Sequence, residues 1–413
     1  MKTIVIGSGL AGLMAAYISK KRGDDVTLLA SGAGTLAQNS GCIDILAYTK
    51  DKTPVTSPRE AIESLPETHP YKKIGIKNIE AATKEFLSLV SSYGLPYCGD
   101  LDGVIKVSTP IGTLKSTSYV PYSMNGAALF DAKKIVIVDV ERLKDFYGDI
   151  LRDNLTKHLP QGIELENITI DLSINGARDV STIDAAKRVD LKEGFDKLVE
   201  ELRPHAKEGV VFLLPQILGL RGDKAYKALI EVLKTPVVET TCLPSSVNGM
   251  RLVRIFCRAF SDIGINYVEN TRVIRGVIDK SRVEAVVAKA MARNVKYEGD
   301  KFILATGGFL GGGITLESFN NARESIFRLP VWMPEGEKNW SNEKLFGSCP
   351  QGFATAGIMT DNALRPVDRH KSVIYENLFV IGRNLGGYDL FFEHSGNGVA
   401  LASAYHAAVQ SVK

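Results

Sequence analysis

The sequence predicts an α/β protein in which a parallel-sheet domain is built from the two ends of the chain and an α+β cap is inserted between them. Three stretches predict it. Lys2-Thr3-Ile4-Val5-Ile6 is a β-branched apolar run, followed at once by Gly7-Ser8-Gly9-Leu10-Ala11-Gly12 and a helical pattern from Leu13. Residues 301–308 form a second apolar run that breaks into glycines. Residues 376–382 form a third, after which Ser395-Gly396-Asn397-Gly398 opens an alanine-rich terminal helix. Short apolar runs of this kind, rich in β-branched residues, read as strands buried on both faces, the habit of parallel sheets.

A G-x-G-x-x-G between a strand and a helix is a phosphate-binding turn. Gly7 allows the turn, Gly9 lets the backbone approach a phosphate, and Gly12 lets the helix pack on the strand. Ser8, Leu10 and Ala11 add backbone N–H groups at the positive end of the helix. Residues 26–29 complete a βαβ unit. A dinucleotide site usually carries an acid about 20 residues past the motif, at the end of the second strand, for the adenosine ribose. Ala30-Ser31-Gly32 stands there instead, and Asp24 and Asp25 precede the strand. The turn is expected to hold a dinucleotide or flavin phosphate, with the adenosine half in question.

Composition narrows the function classes. A chain of 413 residues holds two sizeable cores, and a formal charge of +3 without aromatic-interleaved basic clusters gives no nucleic-acid footprint. The first strand starts at residue 2, which gives an expectation of no signal peptide. The longest apolar stretch, 210–220, is interrupted by Pro215 and Gln216 and is too short to span a bilayer. Cys42, Cys98, Cys242, Cys257 and Cys349 show no C-x-x-C spacing, and the six histidines no H-x-x-x-H, so no metal is expected.

Along the chain, Asn39-Ser40-Gly41 before an apolar run suggests a segment near a ligand. Prolines 54, 58, 66 and 70 mark a peripheral segment. A helix is expected at 79–93, where Ile79, Ala82, Phe86, Leu89 and Val90 share a face. Strands are expected at 103–107, 112–120, 134–139 and 209–214, and helices at 141–151 and 184–202. A loop at 244–251 feeds a helix at 252–263. Two hairpin strands, 271–278 and 282–288, precede the 301–308 strand, and the terminal helix covers 399–412. The expected division is 1–60 and 245–413 for the two parts of the ligand-binding domain and 61–244 for the inserted cap.

Taken together, the first glycine turn, Ala305-Thr306-Gly307-Gly308 and the strand–glycine–helix at the C-terminus resemble the two-part, Rossmann-like flavin domain of glutathione-reductase and fumarate-reductase type flavoproteins. A narrower resemblance, over nearly the whole length, is to the B subunits of anaerobic glycerol-3-phosphate dehydrogenases. It rests on residues 40–46, Leu243-Pro244-Ser245-Ser246-Val247-Asn248-Gly249-Met250-Arg251-Leu252, residues 305–313, Thr360-Asp361 with Leu364-Arg365-Pro366, and Glu376-Asn377-Leu378-Phe379-Val380-Ile381-Gly382 with Leu385-Gly386-Gly387-Tyr388-Asp389. The resemblance implies oxidation of sn-glycerol 3-phosphate to dihydroxyacetone phosphate, with electrons passed to a quinone. It also implies a heterotrimer completed by a catalytic A subunit and an iron–sulfur C subunit that reaches the membrane. The chain would then be cytoplasmic and peripheral on the inner face of the cell membrane. The cofactor implied is FMN, which agrees with the missing ribose acid; FAD is the alternative.

The residues expected at the cofactor are Gly7, Ser8, Gly9, Leu10, Ala11, Gly12, Ser40, Gly41, Thr306, Gly307, Gly382, Gly396, Asn397, Gly398 and Val399. Arg251 is a candidate for the substrate phosphate, because a guanidinium matches phosphate in bidentate fashion. His394 is a candidate base for the alcohol proton, since its ordinary pKa lies near neutral pH. Arg383 and Asp389 flank the Gly386-Gly387 turn as weaker candidates. So thin a catalytic set also fits an electron-relay or assembly subunit that binds flavin without a substrate site of its own.

Overall fold

The computed structural model describes residues 1–174, 179–318, 321–344, 347 and 349–412. It divides into two compact units. Unit 1 comprises Met1–Thr35, Asp44–Phe86 and Phe256–Lys413, and unit 2 comprises Leu36–Ile43 and Leu87–Ile255.

In unit 1, β1 (Lys2–Ile6) leads into α1 (Leu10–Lys21) and β2 (Asp25–Leu29). With β3 (Asn266–Val268), β4 (Lys301–Leu304) and β5 (Leu378–Val380) they make a five-stranded sheet of order β3-β2-β1-β4-β5, parallel at every pairing. Ile4 and Val5 are fully buried, as the apolar run requires. The order reverses at β1: β2 and β3 lie to one side, β4 and β5 to the other. In open α/β sheets the carboxyl end of such a strand is where ligands bind. The glycines there are steric necessities. Gly7 has φ +110°, and a Cβ on it would stand 2.3 Å from the Ala305 carbonyl oxygen; a Cβ on Gly12 would stand 1.8 Å from the Gly7 oxygen.

Unit 1 also contains the helices α2 (Pro70–Ile74), α3 (Leu390–Glu393) and α4 (Gly396–Val409). The alanine-rich α4 is buried nearly all round and packs along α1. Its carboxyl end is held by Lys301, a fully buried lysine whose Nζ donates to the carbonyls of Ala408 and Gln410 at 2.9 and 2.7 Å. The expected hairpin is present with a third strand: Arg272–Asp279, Arg282–Lys289 and Asn294–Glu298 form an antiparallel sheet.

Residues 61–86 fall in unit 1 rather than in the inserted cap. The reason is tertiary. Tyr71 is fully buried and donates its hydroxyl to the Ile45 carbonyl at 2.8 Å, and Lys73 donates to the Thr360 carbonyl at 2.9 Å.

Unit 2 holds a parallel four-stranded sheet in the order Val237–Glu239, Val210–Leu214, Lys134–Val140 and Glu164–Ile170, with two antiparallel ribbons beside it. Glu164–Ile170 is not legible in the sequence because it is an edge strand with mostly half-exposed residues and a charged, discontinuous pattern. The helix expected at 141–151 starts later, at Gly148–Leu155, where the Asp139 carboxylate accepts the Gly148 N–H at 2.8 Å. The one expected at 184–202 is two, Thr182–Val189 and Lys192–Leu202. At the break the Asp190 carboxylate accepts the Leu220 N–H instead of facing solvent along a helix.

Candidate flavin-binding site

At the carboxyl edge of the unit 1 sheet two helices begin without a side-chain cap. Gly9 is the N-cap of α1 and Ser395 the N-cap of α4, and neither residue caps its helix through a side-chain hydrogen bond. First-turn N–H groups have no partner within their own helix. With the positive end of the helix they suit a phosphate or an electron-rich ring. A Cβ at Gly9 would meet nothing within 4 Å, so the backbone is open to close approach there. At α4 the openings are fewer than the sequence expects. The Gly398 N–H donates to the Asp44 carbonyl at 3.0 Å, a Cβ on Gly398 would stand 2.1 Å from the Tyr71 hydroxyl, and Val399 is fully buried. Gly398 and Val399 are packing residues; Gly396 and Asn397 form the half-buried start.

Thr306 and Gly307 follow β4, and Gly382 follows β5, with its N–H bonded to the Ser403 hydroxyl at 3.0 Å. Asn384 is fully buried and donates to the Thr306 hydroxyl at 2.9 Å, while its Oδ1 is buried without a hydrogen-bond partner. Arg383 beside it lies over the rings of Tyr388 and Phe391, at 5.9 and 5.6 Å, and its Nη1 is likewise buried without a partner. One orphaned acceptor and one orphaned donor sit at the same strand end, and buried polar groups left so are rare. A flavin, which carries both hydroxyl donors and carbonyl acceptors, fits this donor set.

Just before α4 a polar chain is closed off from solvent. His69, the N-cap of α2, is 1% exposed. Its Nδ1 accepts the Tyr71 N–H at 3.0 Å, so the ring proton sits on Nε2, which meets Glu393 at 3.2 Å. Glu393 also accepts the Ser395 hydroxyl at 3.0 Å. Burial pushes the Tyr71 hydroxyl well above the ordinary tyrosine range, and pushes Tyr388 up to about 12 against the pull of Arg383. His394 is half-buried, in a left-handed conformation with φ 51°, its ring edge-on to Tyr48 at 4.9 Å.

The remaining sequence candidates lie in unit 2. The Gly41 N–H is taken by Asn39 at 2.9 Å, and its carbonyl accepts the Tyr97 hydroxyl at 2.8 Å. The Ser40 carbonyl accepts from Asn248 at 3.4 Å. Arg251 is corrected by the structure. It is 2% exposed and bidentate, but to the fully buried Glu239, at 2.9 and 3.2 Å, and its Nε donates to the Gly219 carbonyl. The fork geometry expected for a phosphate is used on a carboxylate of the same unit, so Arg251 is a core ion pair and not an anion site.

A model of the FAD binding domain family matches residues 2–399. The B subunit of the anaerobic glycerol-3-phosphate dehydrogenase of Vibrio cholerae is 30% identical over 424 residues, covering 98% of this chain and 95% of the relative. The chain belongs to this B-subunit family. It is a flavin-binding oxidoreductase subunit. The protein of the same name from Yersinia enterocolitica is 28% identical over 421 residues, covering 99% of this chain and 97% of its own length. Among solved structures, the 3-ketosteroid delta1-dehydrogenase of Sterolibacterium denitrificans aligns at 12% identity with a TM-score of 0.44, covering 98% of each chain. Among the described residues no helix is long and apolar enough to cross a membrane.

The sequence does not single out His69, Tyr71, Asn384 or Glu393 as site residues. His69 and Tyr71 fall within the expected cap, far along the chain from Glu393 and Ser395. Asn384 and Glu393 do carry a signal: both sit in the strand–glycine–helix segment that marks the site, as the polar residues between its glycines.

Proposed function

We propose that the chain is the flavoprotein subunit of a quinone-linked enzyme that oxidises sn-glycerol 3-phosphate to dihydroxyacetone phosphate and passes the electrons to a membrane-bound iron–sulfur partner. What supports this is the full-length likeness to B subunits of that dehydrogenase, joined to a strand-end site with two uncapped helix starts and an orphaned donor–acceptor pair. A bound flavin supplies the two-electron acceptor. Gly7, Ser8, Gly9, Leu10, Ala11 and Gly12 would hold its phosphate through backbone N–H groups. Thr306, Gly307, Gly382, Arg383 and Asn384 would line its polyol side, and Gly396 and Asn397 its ring. His394 would take the alcohol proton. The A and C subunits would place the chain on the inner face of the cell membrane.

One observation favours the second reading, that this chain relays electrons without binding substrate: Arg251 is committed to Glu239, which leaves His394 alone of the two sequence candidates for catalysis. Anaerobic addition of glycerol 3-phosphate to the purified chain decides. Bleaching of the flavin absorbance without the A subunit supports the first reading. Bleaching that requires the A subunit supports the second. A complex without flavin refutes both.

The form of the flavin divides on the end of β2. No carboxylate stands there, which favours FMN. The family model is described as an FAD binding domain, and an exposed glutamate, Glu269, follows β3, the strand paired to β2, which favours FAD. Acid release and chromatography separate the two.

A further inference from the structure

We propose that Glu393, held by His69 and Ser395, sets the electrostatic field at the N-terminus of α4 and through it the reduction potential of the bound flavin. The proposal rests on the flavin reading above and assigns a role that reading does not contain.

The carboxylate is an acceptor from three donors. Its Oε2 accepts from the Ser395 hydroxyl at 3.0 Å and from His69 Nε2 at 3.2 Å, and its Oε1 from the Asp389 N–H at 3.4 Å. Because His69 Nδ1 is already used on the Tyr71 N–H, Nε2 must carry the proton and must donate. A carboxyl group that accepts everywhere is ionised. The order of the chain also excludes another role. In a hydrolytic triad the histidine stands between serine and acid and takes the serine proton. Here the acid stands in the middle, so the histidine cannot reach the hydroxyl, and the serine is not activated as a nucleophile. What the arrangement does is fix a negative charge.

The place of that charge is specific. Ser395 is the N-cap of the 14-residue helix α4, yet its hydroxyl turns back to Glu393 and does not cap the helix. Glu393 is 15% exposed and His69 1%, so solvent screens the charge weakly. A carboxylate at the positive end of a helix partly cancels the field that end would offer to another electron-rich group. A flavin gains electron density on reduction, so the carboxylate disfavours the reduced form and lowers the potential. Arg383, Asp389, Asp44 and the buried hydroxyls of Tyr71 and Tyr388 are among the polar groups near this carboxylate, and the Lys52 ammonium bonds the carbonyl of the adjacent Phe392 at 3.3 Å. Glu393 acts through the field and is a positioning residue.

The test is the midpoint potential of the flavin in the full chain, by anaerobic dye-equilibrated reduction, with flavin content measured alongside. E393Q keeps the shape and removes the charge. It is expected to favour the reduced flavin at least tenfold, about 30 mV upward for a two-electron couple. H69L, which strips the ionised carboxylate of its buried donor and leaves the charge less offset, is expected to move the midpoint downward, opposite to E393Q, and H69Q, which restores an N–H donor, to bring it back toward the wild-type value. Midpoints of E393Q and H69L within threefold of wild type, about 15 mV, at unchanged flavin content overturn the proposal and leave the chain of contacts a packing device. If E393Q fails to fold, H69L against H69Q decides alone. Wild-type chain devoid of flavin refutes the flavin reading itself, which is a different result from bound flavin with an unmoved midpoint.

Discussion

Replacing Arg251 by alanine should destabilise unit 2 rather than weaken substrate binding. Glu239 is fully buried and accepts four hydrogen bonds: two from Arg251, one from the Ser123 hydroxyl at 2.7 Å and one from the Leu218 N–H at 2.8 Å. Removing the guanidinium leaves a buried carboxylate with two neutral donors and no countercharge. It also strands the Gly219 carbonyl that Arg251 Nε satisfied. Breaking a buried pair from one side costs about 3–5 kcal/mol. At about 2–4 °C per kcal/mol for a unit of this size, the melting temperature should fall by roughly 6–20 °C. Removing both charges together, as R251M/E239L, should recover most of the loss, because apolar replacements of similar volume dispense with both desolvation penalties. Urea and thermal melts of wild type and the two variants measure this. An R251A chain with wild-type melting but a raised KM for glycerol 3-phosphate would refute the reasoning and restore Arg251 to the substrate phosphate.

Further outcomes follow from individual contacts. G7A, at φ +110° and 2.3 Å from the Ala305 oxygen, should cost roughly 1–3 kcal/mol or more and give little soluble protein. G9A, where a Cβ meets open space, should fold within about 1 kcal/mol of wild type and yet lose flavin affinity at least tenfold, read by flavin fluorescence. The buried Lys301 is lowered by desolvation to about 8 from 10.5. Between those values the unfolded chain binds a proton that the folded chain lacks, so stability should rise as pH goes from about 8 to 10.5. Urea melts across that range should show the slope in wild type and a flatter one in K301M. Glu324 is the opposite case: burial raises its carboxyl to about 7 from 4.5, against the pull of the Phe327 and Ile326 N–H groups. The folded chain then holds the extra proton between about 4.5 and 7, stability should fall as pH rises through that window, and E324Q should remove that fall.

Much of unit 1 is legible in the sequence because its signals are local. A β-branched run followed by G-x-G-x-x-G can satisfy its backbone, its tight turn and its helix start in few ways, and Gly7 and Gly12 meet the neighbours that their spacing implies. The buried parallel strands read equally well, since both faces must be apolar. Unit 2 is less legible for a physical reason. Its edge strand Glu164–Ile170 carries charges on an exposed face, and its helix breaks depend on carboxylates, Asp139 and Asp190, that accept N–H groups from turns elsewhere in the chain.

The sequence alone therefore determined the nucleotide-type turn, the buried strands β1, β2, β4 and β5, and the alanine-rich closing helix, because these follow from side-chain periodicity and from the steric freedom of glycine. It also carried the family, through motifs spread over the whole chain. Only the tertiary structure decided how charges are used. Arg251 could face a phosphate or a carboxylate with the same fork, and its burial against Glu239 chose the carboxylate. His69, distant in sequence from Glu393, became its hydrogen-bond donor only once α2 folded beside α4. Pairing between distant charged groups is set by which surfaces lose water together, and that is a property of the fold and not of any stretch of sequence.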